Sequence, residues 1–220
     1  MAETKREEMK DFAIYCAGGF GREVYCLVFR RIKNPEWNFV GFFDDTMQKG
    51  TQLQYGVCLG GMQELNAWPT PIDICIANGS PRGLKIISER ITNPLVGFPN
   101  IISPDTTFAD PSTNKIGKGN ILNGNNHLSV NVEIGDFNVF NSAVIFGHET
   151  KVGNCNVFMP NIRVSGGVTI GNENLFGACS FILQDLKIGN NIKLSPGSIL
   201  LSKPKDGNVY MGNPAKVFKF

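Results

Sequence analysis

Two patterns of hydrophobic spacing divide the chain. In the first, short apolar runs alternate with helical spacing. Phe12-Ala13-Ile14-Tyr15-Cys16-Ala17 is an apolar run closed by Gly18-Gly19-Phe20-Gly21, and from Arg22 to Ile32 the residues Val24, Leu27, Val28 and Ile32 mark one helix face. This is the pattern of strand, glycine turn and helix. Asn34-Pro35 ends that helix, Asn38 to Phe43 is a second strand running into Asp44-Asp45, and Ile72 to Ala77 is a third, followed by Asn78-Gly79-Ser80. A helix from Pro81 to Ile91 comes next, with Ser80 placed to cap it and Pro81 in its first turn. Strands alternating with helices predict a small parallel α/β, Rossmann-like domain over residues 11–95.

From Ile116 onward the pattern changes to a six-residue period that never slips. Stepping by six gives Ile116, Leu122, Leu128, Ile134, Phe140, Phe146, Val152, Phe158, Val164, Ile170, Phe176, Ile182, Ile188, Leu194 and Leu200, all large and apolar. Neither a helix nor an ordinary strand has this period. The following position is glycine at 117, 135, 147, 153, 171, 177 and 189, which suggests a tight turn with special dihedrals. Residues three hexads apart form columns of one character: Ile116, Ile134, Val152, Ile170 and Ile188 in one, and Leu122, Phe140, Phe158, Phe176 and Leu194 in another. Such columns predict stacked three-sided coils, a parallel β-helix about 24 Å tall at the inter-strand spacing. The expected organisation is a charged tail over 1–10, the α/β domain over 11–95, the β-helix over 96–205 and a C-terminal cap over 206–220. The Pro- and Asn-rich stretch Asn93 to Asn114 forms the junction and an irregular first coil.

Composition narrows the function. With 42% hydrophobic and 18% charged residues the chain is globular, and 21 Lys and Arg against 19 Asp and Glu provide no basic stripe for a phosphate backbone, so nucleic acid is not an expected partner. The opening MAETKREEMK has no apolar core of a signal peptide, and no 18-residue apolar run follows, so a cytoplasmic protein without membrane insertion is expected. The six cysteines (Cys16, Cys26, Cys58, Cys75, Cys155, Cys179) contain no C-x-x-C pair and read as reduced, mostly buried thiols.

Three constellations offer chemistry. Gly18, Gly19 and Gly21 lie where an α/β domain presents backbone amides to a phosphate at a helix N-terminus. Asp44 and Asp45 follow the second strand, where an acid meets a ribose or a base; the domain is too short for a dinucleotide fold, so a single nucleotide or nucleotide sugar fits better than NAD. The alternatives are a tight turn without ligand and solvated turn acids. His148 is third in its hexad and should point out from the prism side, with Gly166 one coil higher offering bare backbone beside the ring and Glu149 next to it to fix the tautomer or stabilise the cation. The alternative is a surface histidine. His127 falls in a different column, as an exposed or interface residue or a substrate contact across a subunit boundary. Two histidines are too few for a three-His zinc site, and no metal is expected.

With these hexads, the run Phe146-Gly147-His148-Glu149-Thr150-Lys151-Val152-Gly153, the glycine turn and the closing Val209-Tyr210-Met211-Gly212-Asn213-Pro214-Ala215-Lys216, the chain resembles the hexapeptide-repeat sugar acyltransferases. These include sialic acid O-acetyltransferases and the nucleotide-amino-sugar N-acetyltransferases of bacterial glycan synthesis. The resemblance spans Asp11 to Phe220. It implies a left-handed β-helix, a homotrimer, acetyl-CoA in the groove between neighbouring prisms, His148 as general base and Glu149 as its partner. It further implies that Gly166 and Ala178 present amides to the acetyl and pantetheine portions, and that Gly18, Gly19, Gly21, Asp44 and Asp45 hold the acceptor nucleotide. The implied reaction is N-acetylation of a nucleotide-linked amino sugar, of the 4-amino-4,6-dideoxy type. O-acetylation of sialic acid is the second reading and a non-catalytic nucleotide-sugar-binding trimer the third. Two positions depart from the family pattern: Phe20 in the glycine turn and Val157 in the hexads both stand where histidine is frequent.

Overall fold

The computed structural model describes residues 9–219. Of the tail expected over 1–10, the first eight residues lie outside this range, and Lys10 already belongs to the first strand. The chain divides into two compact units, one comprising residues up to Asn78 with Glu89–Pro99, the other Gly79–Ser88 with Asn100 onward.

The first unit contains β1 (Lys10–Tyr15), α1 (Gly19–Cys26), β2 (Trp37–Phe43), the short hairpin β3 (Gln52–Leu53) and β4 (Gly56–Val57), α2 (Met62–Asn66), β5 (Ile72–Ile76) and β6 (Val96–Gly97). Its four-stranded sheet has the order β2-β1-β5-β6, all pairs parallel. The apolar run of β1 sits centrally because Phe12, Ala13 and Ile14 are wholly buried, as are Ile72 and Ile74 of β5. α1 starts three residues earlier than the apolar spacing suggested and continues as a π-helical turn over Leu27–Ile32. The glycines are therefore its first turn rather than a loop before it. Helix α3 (Pro81–Arg90) is divided between the units rather than falling within one domain ending at 95. Ser80 caps it, its Oγ accepting from the Gly83 N–H at 3.4 Å.

The second unit is a left-handed parallel β-helix. Each apolar residue of the hexad series ends a two-residue strand, and the strands stack in register into three faces. The first face runs from Ile101–Ile102 through Val139–Phe140 and Lys193–Leu194 to Val209–Gly212, closed by the antiparallel strand Ala215–Phe218. The second runs from Thr107–Phe108 through Ile145–Phe146 to Ile199–Leu200, and the third from Lys115–Ile116 to Lys187–Ile188. A coil thus precedes Ile116. The 3-10 turn Pro111–Thr113 lengthens its corner and breaks the six-residue frame, which is why the period is first visible at Ile116.

Inside the prism Phe140, Phe158 and Phe176 stack, with ring centroids 5.0 and 4.7 Å apart. Beside them runs a ladder at the fifth hexad position, where Asn120, Asn138, Asn156 and Asn174 are buried. The Oδ1 of Asn138 accepts from both the N–H and the Nδ2 of Asn156 at 2.9 Å, while the Asn156 Nδ2 also donates to the Gly171 carbonyl at 2.9 Å. The side-chain amides thus satisfy corner backbone groups that the strands leave unpaired. The glycines after the apolar positions serve a purpose different from the one expected. Their dihedrals are ordinary, and the left-handed residues lie two positions further on, at Asn125, Asn131, Phe137, Ala143, Glu149 and onward. Glycine is required at Gly153 because a Cβ there would lie 2.6 Å from the Gly171 carbonyl oxygen of the next coil.

Candidate active site

In the first unit, the glycine turn is held by the end of β2. The Ala17 N–H donates to Asp44 Oδ2 at 2.9 Å, and Asp44 Oδ1 accepts from the Thr46 N–H and hydroxyl at 2.9 and 2.6 Å. Partial burial acts to raise the Asp44 pKa, but these hydrogen bonds outweigh it and hold the carboxyl below its ordinary range. Asp45 caps α2, accepting from the Met62 N–H at 2.8 Å, and pairs with Arg90 at 3.2 Å. The three glycines separate by role. A Cβ on Gly21 would strike the Cys16 carbonyl, so Gly21 lets α1 approach β1, whereas a Cβ on Gly18 would meet nothing and Gly19 is also exposed. The amides of Gly19, Phe20 and Gly21 have no acceptor among the described residues. This leaves an open helix N-terminus with exposed glycine backbone. Beyond it a groove of about 300 Å³ is lined by Asp44, Asp45, Lys49, Gly61, Met62 and Arg90.

In the second unit, His148 and Glu149 form the corner between the second and third faces, both exposed. Glu149 takes a left-handed conformation, φ 59°, with its N–H bonded to the Val130 carbonyl at 3.0 Å. No hydrogen bond joins its carboxylate to the imidazole among the described residues. Gly166 stacks directly beside the ring, since a Cβ on it would lie 2.6 Å from both Cε1 and Nε2 of His148.

The corners differ in how their third-position amides are satisfied. At the corner between the third and first faces the N–H groups of Asp136 and Asn154 donate to Asn154 and Asn172 side chains, at 2.7 Å each. At the other two corners the Gly166 and Ala178 amides have no acceptor among the described residues. In Ala178's column, Pro160 and Pro196 stand one coil below and above, so Ala178 provides the donor there. Within one prism, Ala178 and His148 are not together. Their corners are separated by a full side of the triangle, about 20 Å for six extended residues.

Ala178 opens instead onto an apolar groove of about 500 Å³, lined also by Met159, Leu175, Pro196, Val209 and Lys193. The hexad reading did not find this groove, because it is made by outward positions whose character varies from coil to coil. His127 lies on the second face, paired with Ile145 of the next coil, its Nδ1 2.8 Å from the Thr107 hydroxyl. Val157 is buried on the first face between Val139 and Leu175. Of the thiols, Cys58, Cys75 and Cys155 are buried, Cys16 and Cys26 half-buried and Cys179 exposed. Burial is therefore less general than expected.

Residues 11–91 match the family described as the PglD N-terminal domain. No curated protein matches the sequence. Among solved structures, the acetyltransferase domain of PglB from Neisseria gonorrhoeae is 25% identical, with a TM-score of 0.85 over 95% of this chain and 100% of that one. PerB from Caulobacter crescentus, solved with CoA and GDP-perosamine, is 18% identical with a TM-score of 0.84 over 96% and 98% of the two chains. WeeI from Acinetobacter baumannii is 22% identical with a TM-score of 0.68 over 95% and 100%.

Proposed function

We propose that this chain, whose fold is that of hexapeptide-repeat sugar acetyltransferases, transfers the acetyl group of acetyl-CoA to the amine of a nucleotide-linked amino sugar, with His148 as general base. The observation that carries this reading is the pairing of an exposed imidazole with the bare backbone of Gly166 and its unengaged amide. The sugar amine attacks the thioester carbonyl, a C–N bond forms, and the ammonium proton passes to the His148 imidazole. The carbonyl oxygen, now an oxyanion, takes the Gly166 N–H. As the tetrahedral species collapses, the C–S bond breaks and CoA leaves as thiol with the proton returned from His148. General-base work of this kind contributes about 10²–10⁴ in rate. The Glu149 carboxylate, which no hydrogen bond engages among the described residues, places a negative charge beside the imidazolium and stabilises it.

The Ala178 amide and the apolar groove beside it suit the pantetheine arm, one carbonyl per free N–H. Since that groove and His148 occupy different corners of a prism, the thioester reaches an imidazole only if a neighbouring prism supplies it, which supports a homotrimer. The open α1 N-terminus at Gly18, Gly19 and Gly21 suits the acceptor's pyrophosphate. Asp44 sets that turn, and Asp45, at the adjoining groove, faces the nucleoside.

Free-thiol release from acetyl-CoA tests the reading, with UDP-, GDP- and dTDP-linked 4-amino-4,6-dideoxy sugars offered beside free sialic acid. Release with one nucleotide amino sugar establishes reaction and acceptor together. Release with sialic acid alone replaces N- by O-acetylation, and nucleotide binding without release leaves a non-catalytic trimer.

A further inference from the structure

The groove at the Ala178 corner contains one ionisable side chain. Lys193 lies in the first face between Leu175 one coil below and Val209 above, in the outward register. The rest of the lining, Met159, Ala178 and Pro196 among it, carries no charged side chain. The Lys193 side chain is exposed, and its ammonium group has no ion pair or hydrogen bond among the described residues. Two lysines of the third face are arranged differently, with Glu133 placed 4.0 Å from Lys115 and 3.3 Å from Lys151. An aliphatic stem along an apolar wall with its ammonium group at the rim is a site for an apolar arm that ends in an anion. Neither an uncharged ligand nor an apolar one would use the cation.

We propose that Lys193 is a specificity-determining residue that holds the phosphate at the end of the pantetheine arm, so that the protein selects phosphorylated pantetheine thioesters over pantetheine itself. This rests on the acyl-donor reading above. A lysine acts on phosphate as a point charge, so the contact is sensitive to salt and tolerant of arginine.

The test is equilibrium binding of CoA, 4′-phosphopantetheine and pantetheine to the full chain and to Lys193→Ala, Lys193→Glu and Lys193→Arg, with thiol release from acetyl-CoA recorded separately on the wild type. The expected result is a fall of about tenfold in the preference for CoA and for phosphopantetheine over pantetheine in Lys193→Ala, a size typical of one charge-assisted contact. The fall is larger in Lys193→Glu, is reversed in Lys193→Arg, and is smaller at high salt. An unchanged preference, an equal weakening of all three ligands, or a wild type that binds no CoA would overturn the proposal. Thiol release with an unchanged preference removes the role of Lys193 and keeps the transferase reading. CoA binding with the expected preference but no release does the reverse.

Discussion

Gly166 and His148 stand one coil apart in a single corner column, so close that a Cβ on Gly166 would lie 2.6 Å from the imidazole Cε1 and Nε2. The dihedrals of Gly166 are not in the left-handed region, so its backbone accepts alanine without strain. The ring, not the fold, must give way. Gly166→Ala should therefore lower kcat by about tenfold or more through a displaced base while leaving the melting temperature nearly unchanged. Thiol-release kinetics beside a thermal melt checks this, and a variant as active as the wild type would show that the ring's position is unimportant.

The asparagine ladder predicts the opposite split. Asn156 is fully buried and bonds to Asn138, Gly171 and Asn174, so Asn156→Ala leaves buried donors and acceptors unpaired on two neighbouring coils. At about 1–3 kcal/mol for each stranded group, the loss should be a few kcal/mol. Denaturant unfolding measures it. A loss below about 0.5 kcal/mol would mean that water replaces the ladder.

Much of this fold is legible from spacing, because a six-residue period admits few architectures and its apolar column is the prism's interior. The coil before Ile116 is not, since the turn Pro111–Thr113 shifts the frame. The hexad glycines are visible as a pattern, but their reason is not. Only the stacking of the coils shows that Gly153 is excluded from bearing a Cβ by the coil above rather than by its own dihedrals. His148 and Gly166 can be paired from an 18-residue offset. The groove at Ala178 cannot, because Met159, Leu175 and Lys193 share no periodic character. Asp44 and Asp45 read alike in sequence, yet one braces the glycine turn and the other caps α2.

Asp44 gives a pH prediction. Its folded carboxyl titrates below the ordinary range despite burial, so its contribution is present above the unfolded value of about 3.9 and is lost as pH falls through the folded value. The stability difference between wild type and Asp44→Asn should be constant from pH 7 to about 5 and close as the pH drops below about 4. Melting curves across that range check the sign; a gap that widens on acidification would contradict it.

Thiol labelling separates the cysteines. Burial pushes the Cys75 thiol far up and raises that of Cys16, whereas Cys179 is exposed beside Ala178. Peptide mass spectrometry after brief alkylation at neutral pH should find Cys179 modified well before Cys16, with Cys75 untouched. CoA should slow labelling at Cys179 specifically, and its failure to do so would place the donor elsewhere.

The most direct test of the account is the pH dependence of kcat for thiol release in wild type and His148→Ala, with the nucleotide amino sugar that supports turnover. The account predicts a loss of about 10²–10⁴ in the variant, together with disappearance of the acid-side limb that the general base gives the wild-type profile. An equal kcat, or a wild-type limb that persists in His148→Ala, would contradict it.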